Sequence, residues 1–416
     1  MSNEKTIYVY FAGQTEAPAP ALLGILSAHN SRGKEFFSFD FDKEWLRNNP
    51  ARSLDPDLQL YSGAQFTAKS NFGLFMDSAP DRWGRMLMQR REAVRSRQAG
   101  IKPKILTESD YLLGVYDETR MGALRFKTEP DGKFQNDDSA MAAPPWARLR
   151  ELEEASRHLE TDGDDTESGK WIAMLLAPGS SLGGARPKAS VTDIGGNLWI
   201  AKFPAHNDTS NASAWEYATM QMARDAGLNV PQARLEKLSR FGSTFLVRRF
   251  DRNGSRRIHF ASAMTLLGKS DGADAHSGSS YLDLAGFIMQ YGAKPREDLQ
   301  ELWTRIVFSI AVSNTDDHLR NHGFLLTDSG WTLSPVYDIN PNPQGFGLSL
   351  NITDTDNSLD FSLAREIAPM LRIKTNEAYD ITSRVRSVVS TWRTYAGHAG
   401  ISPAEQNQMQ NAFRLE

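Results

Sequence analysis

SNTDDHLRNHGFLLTDSGWTLSPVYDINP (residues 313–341) sets two carboxylates and a carboxamide in a fixed order: Asp316, then Asn321 after four intervening residues, then Asp338. Between Asn321 and Asp338, GFLLT and WTLSPVYD flank Asp328-Ser329-Gly330, the turn chemistry of a β-hairpin. Just upstream, DLQELWTRIVFSIAVSN places Leu302, Ile306 and Ile310 at helical spacing, so a buried helix is expected to deliver the chain to Asn314.

Two readings fit this pattern. Asp and Asn favour tight turns, so in the first Asp316, Asp317 and Asn321 only fasten a turn after the helix. In the second they carry phosphoryl transfer. That reaction needs a carboxylate to orient and deprotonate the attacking hydroxyl, and an amide oxygen and second carboxylate to hold Mg2+ on the nucleotide phosphates. Asp-x-x-x-x-Asn, a hairpin and then Asp is the order in which a protein-kinase catalytic loop supplies these groups. Asp316 is therefore assigned as catalytic base, with Asn321 and Asp338 on the metal and nucleotide. Asp317 is its rival, but lies one residue too close to Asn321. His318 and His322 lack a third clustered His, Cys or Glu, which weakens a zinc reading; His318 is taken to brace the loop beside the nucleotide.

Working outward, SSLGGARPKAS (180–190) sets Gly183, Gly184 and Ala185 between hydroxyl residues and basic Arg186 and Lys188. Backbone amides in such a loop can cradle phosphate oxygens, although a simple turn also fits and the spacing is not that of a Walker loop. Lys202 closes the strand NLWIAKFP, and the helix expected in NASAWEYATMQMARDAGLNVP, capped by Asn211 and ended by Gly227, carries Glu216. A Lys strand followed by a Glu helix repeats the kinase pairing in which Glu positions the phosphate-binding Lys. A solvated Lys is the alternative, and Glu216 is selected by its place on the helix alone. The strand FLVRRFDR falls where a kinase links its lobes, so Arg248, Arg249 and Phe250 are expected near adenine.

The 416 residues allow two or three domains, and a formal charge of -4 gives no global attraction to nucleic acid or anionic lipid. There is no cysteine, which excludes disulfides, thiol nucleophiles and thiolate metal sites. No secretory signal or long apolar run is seen, so a cytoplasmic protein with no membrane partner is expected. Lys5 to about Asp42 reads as short strands and turns. A basic helix follows from Arg82 to Arg97, closing on Gly100, with its charges read as a solvated face in preference to a DNA contact. Residues 128–169 are polar and acidic, with one helix-like stretch at Trp146–His158, and read as a linker or insertion.

SLGGARPKA, WIAKFP, EYATMQMARDAGLNVP, FLVRRFDR, NTDDHLRNHGFL and PVYDINP together resemble the motifs of the HipA toxin-kinase family, and FGLFMDSAPDRWGRMLMQRRE is similar to its N-terminal domain. The resemblance implies an α+β, two-lobed protein-kinase-like fold, related to phosphoinositide kinases. Its expected parts are an N-terminal domain (1–127), the linker (128–169), a nucleotide-binding part (170–252) and a mainly helical catalytic lobe (253–416). It further implies ATP and Mg2+ as cofactors, serine/threonine phosphorylation of a protein such as an aminoacyl-tRNA synthetase, and self-phosphorylation at Ser181 in preference to Ser180. The implied partners are a HipB-like helix-turn-helix antitoxin and, through it, operator DNA. Arg248 departs from the family where relatives carry an acidic residue. A small-molecule kinase of the same fold, or a degenerate kinase-like regulator that binds a repressor, are the alternative readings.

Overall fold

In the computed structural model, the described residues are 4–13, 19–136, 143–161, 168–176, 184 and 186–416. The chain divides into two compact units, Met1–His206 with Asp251–Ala261, and Asn207–Phe250 with Ser262–Glu416.

The first unit is built on a five-stranded antiparallel sheet of β1 (Lys5–Phe11), β2 (Ala21–Ser31), β3 (Lys34–Phe41), β4 (Gln65–Phe66) and β5 (Leu124–Lys127), in the order β4-β3-β2-β1-β5. Alternation drives it: in β1, Ile7, Val9 and Phe11 are buried while the residues between them are not. Helix α1 (Arg82–Ala99) starts where the Asp81 carboxylate accepts the Gly84 N–H at 2.7 Å and stops at Gly100 (φ 65°), as its sequence predicts. Within the span expected as a polar connection lies α2 (Leu149–Thr161), which buries Leu149, Leu152, Ala155 and Leu159; their helical spacing makes an apolar face in an otherwise charged segment. A further helix, α3 (Ser168–Leu176), precedes an antiparallel hairpin of β6 (Lys188–Thr192) and β7 (Leu198–Lys202), whose register sets Lys188 opposite Lys202.

In the second unit, α4 (Ala212–Asp225) has the expected Asn211 cap, the side chain accepting from the Ala214 N–H at 3.3 Å. An antiparallel pair follows, β8 (Ala233–Glu236) with β9 (Thr244–Arg248). Helix α5 (Tyr281–Tyr291) leads to α6 (Pro295–Val312), whose first turns are polar and partly exposed and which is buried from Leu302 to Val312, with Trp303 Nε1 donating to the Ala364 carbonyl at 2.8 Å. The chain leaves α6 at Ser313 in the left-handed conformation (φ 49°), enters the loop to Asn321, and forms the predicted hairpin of β10 (Gly323–Thr327) and β11 (Gly330–Leu333) around Asp328 and Ser329. Helices α7 (Phe361–Ile367) and α8 (Thr375–Ser390) begin the helical tail. No described helix is long and apolar enough to cross a membrane. The α+β class expected from the sequence is the class found.

Candidate active site

The loop after α6 holds its shape through its own backbone. The His318 N–H donates to the Asp316 carbonyl at 2.9 Å and the Asn321 N–H to the His318 carbonyl at 2.8 Å. Asn321 Nδ2 then donates to the Asp316 carbonyl at 2.8 Å. This bond fixes the carboxamide and commits its nitrogen, leaving Oδ1 as the atom available to a ligand.

The two adjacent aspartates have opposite environments. Asp317 is buried and accepts from the Tyr281 hydroxyl at 2.6 Å and the Ser309 hydroxyl at 3.2 Å, while His322 Nε2 lies 2.9 Å from its other oxygen. Burial alone would raise its pKa, but the His322 ring and the hydrogen bonds from His322, Tyr281 and Ser309 outweigh it and hold the carboxyl below the usual value. Asp317 therefore clamps the loop to α5 and α6. The Asp316 side chain is 80% exposed, with His318 Nε2 at 3.9 Å. Its pKa is raised, first by partial desolvation and then by the charges of Asp338 and Asp317, against the opposing effect of His318. Of the two, Asp316, which the spacing favoured, is the exposed carboxylate, and Asp317 is the buried one.

Asp338 follows β11 in the left-handed conformation (φ 58°), which few residues other than Gly, Asn and Asp adopt readily. The turn is anchored on both sides: Tyr337 donates its hydroxyl to the Arg320 carbonyl at 2.7 Å, and the Asn340 N–H donates to Asn314 Oδ1 at 3.2 Å. Thus Asp316, Asn321 and Asp338 are brought together. Phe250 belongs to the same neighbourhood, its ring centroid 5.7 Å from that of Tyr337. Arg248 bonds Gln232 through Nη1 at 3.2 Å, and Arg249 is buried.

In the first unit, Lys202 ends β7 and Lys188 is buried, with its ammonium 2.9 Å from Asp81. The register places Lys188 opposite Lys202, and the Asp81 carboxylate faces the Lys188 ammonium. Gly184 has φ 92°, a conformation suited to glycine, and Arg186 is half-buried. Gly183, Ala185, Ser180 and Ser181 lie outside the described residues. In the second unit, Glu216 lies on the buried face of α4. Sequence reasoning missed Tyr281, Ser309 and Asn314 as supports of the loop. Asn314 adjoins the motif, but Tyr281 lies 36 positions from Asp317 and carries no local signal.

The sequence model of the HipA-like C-terminal domain family matches residues 180–392, just over half of the chain. A Haemophilus influenzae protein named "Putative kinase" is 30% identical over 149 residues, covering 32% of this chain and 43% of its own. A Sinorhizobium fredii protein named "Putative kinase Y4dM" is 27% identical over 223 residues, covering 47% and 54%. The chain spans about half the length of these curated relatives. Among solved structures, a chain of the Shewanella oneidensis toxin–antitoxin complex of HipA, HipB and operator DNA superposes with a TM-score of 0.65 at 16% identity, covering 98% of this chain and 96% of that one. That likeness establishes a HipA-type fold. On the family match and the fold together, this chain belongs to the family that carries the HipA-like C-terminal domain.

Proposed function

We propose that the chain is an ATP-dependent serine/threonine protein kinase acting as the toxin of a toxin–antitoxin pair. The observation that carries the reading is the division of labour between adjacent aspartates: Asp317 is consumed in holding the loop, while Asp316 stands exposed beside Asp338 and a carboxamide oriented by its own loop. In the reaction, the acceptor hydroxyl oxygen bonds to the γ-phosphorus of ATP and the bond to the departing ADP oxygen breaks. The hydroxyl proton passes to the Asp316 carboxylate, whose raised pKa makes it a stronger base than an ordinary Asp.

The donor set suits magnesium, a hard cation held through one or two carboxylates together with substrate phosphates. Among the described residues no group of three or more His, Asp and Glu side chains forms a self-sufficient metal site. Asn321 Oδ1 and Asp338 would hold the ion, which supplies charge neutralisation on the phosphates.

Gly183, Gly184, Ala185, Arg186 and Lys202 are assigned to the nucleotide phosphates, Glu216 to positioning Lys202, and Arg248, Arg249, Phe250 and His318 to the remainder of the nucleotide. These assignments rest on sequence order and family likeness. Lys188 is reassigned to bracing the fold, because its ammonium is already held by Asp81. Ser181 is assigned as the self-phosphorylation site, where about two negative charges would repel the nucleotide phosphates. The presence of HipB and operator DNA in the solved relative supports a helix-turn-helix antitoxin partner, and DNA contact through it. An aminoacyl-tRNA synthetase is the proposed acceptor class. Incubation of the protein with labelled ATP and a cell lysate tests the reading: discrete labelled proteins, absent with Asp316→Asn, are expected, and labelling retained in that variant would reject it.

A further inference from the structure

Phe346 is 92% exposed in a loop where little else is free to move. Asn342 Nδ2 donates to Thr315 Oγ1 at 2.7 Å, the Ser349 hydroxyl donates to the Thr315 carbonyl at 2.8 Å, and Arg414 Nη2 donates to the Gly345 carbonyl at 3.2 Å. The glycines on either side serve close approach. A Cβ at Gly345 would come within 2.3 Å of Thr315 Cγ2, and one at Gly347 within 2.8 Å of Asn357 Nδ2. Asn357 in turn donates to the Leu348 carbonyl at 2.6 Å. The backbone of the loop is therefore a fixed mount, and its one exposed large apolar side chain, Phe346, stands in solvent.

Thr315 precedes Asp316, and Gly345, packed against Thr315, precedes Phe346. The exposed ring and the exposed carboxylate are thus carried by adjoining stretches of chain. We infer that Phe346 is a specificity residue that seats an apolar side chain of a polypeptide acceptor close to its phosphorylated hydroxyl. An aromatic with few rotatable bonds, carried on a fixed backbone, gives large contact area at low entropic cost, which an aliphatic or aromatic neighbour of a peptide's acceptor residue can use. The inference rests on the kinase reading above and deepens it by naming what the acceptor must carry.

The test uses the full chain, ATP and a serine-centred peptide library randomised at the flanking positions. Wild type is expected to favour apolar residues at a fixed offset from the serine. Phe346→Ala should lower transfer to those peptides by about tenfold, the scale of one lost aromatic anchor, while Phe346→Trp retains the preference. ATP hydrolysis without peptide should stay within about twofold, since the ring supports nothing in the fold. No apolar preference in wild type, or an unchanged one in Phe346→Ala, overturns the inference and leaves the kinase reading standing. Absence of both hydrolysis and transfer by wild type overturns the kinase reading, and this inference with it.

Discussion

Asp317→Ala and Asp316→Ala should have opposite consequences although the residues are neighbours. The first removes a buried acceptor that receives the Tyr281 and Ser309 hydroxyls and faces His322 at 2.9 Å. Each stranded buried polar group costs about 1–3 kcal/mol, and the two hydroxyls both lose their acceptor, so a total of about 4 kcal/mol is expected. A loss of about 4 kcal/mol is roughly a thousandfold in the unfolding equilibrium, a large share of a domain's stability. The second removes a side chain that is 80% exposed and should change stability by no more than about 0.5 kcal/mol. Urea unfolding of the full chain, followed by tryptophan fluorescence, reads both. Asp317→Asn should fall between, because it keeps the shape and one acceptor. If Asp317→Ala lost less than about 1 kcal/mol, the clamp described here would not hold the loop, and the division of labour between the two aspartates would be refuted.

Asp55 is buried and its pKa is raised to about 6 by that burial, against the backbone N–H groups of Leu74 and Asp57 that donate to it. The fold therefore favours its protonated form: the stability is greatest below the ordinary carboxylate pKa and declines by about 3 kcal/mol as pH rises through about 6. Asp55→Asn should abolish that slope in thermal unfolding between about pH 4 and 6, and a persisting slope would assign it elsewhere. Asp81→Ala removes both the cap of α1 and the carboxylate facing Lys188, and should cost about 3–5 kcal/mol by denaturant titration. Asp81→Asn keeps a cap and should recover about 1 kcal/mol of it. For Ser181→Ala, mass spectrometry of purified protein should show loss of the phosphopeptide spanning that loop; its persistence would place the phosphate on another residue.

Local patterns were readable where the physics is local. The alternation of β1, the Asn211 cap of α4, the apolar stripe of α6 and the two-residue turn at Asp328-Ser329 each depend on neighbours a few positions apart. So did the order Asp316, Asn321, Asp338, since the loop and hairpin joining them are continuous in the chain. Spacing favoured Asp316 over Asp317, but what occupies Asp317 could not be read from it, because Tyr281 and Ser309 lie on other elements. The same holds for Lys188, whose partner Asp81 lies 107 positions away, and for Phe346, whose neighbouring glycines pack closely on the distant Thr315 and on Asn357.

Phosphate transfer from ATP by wild type, Asp316→Asn and Asp338→Asn, measured on samples with matched thermal unfolding, separates a catalytic role of these carboxylates from a structural one. Removing the base should reduce the rate by at least about a hundredfold, and removing the second carboxylate should reduce it comparably. Two folded variants that both retain transfer within about threefold of wild type would contradict the roles given to these carboxylates.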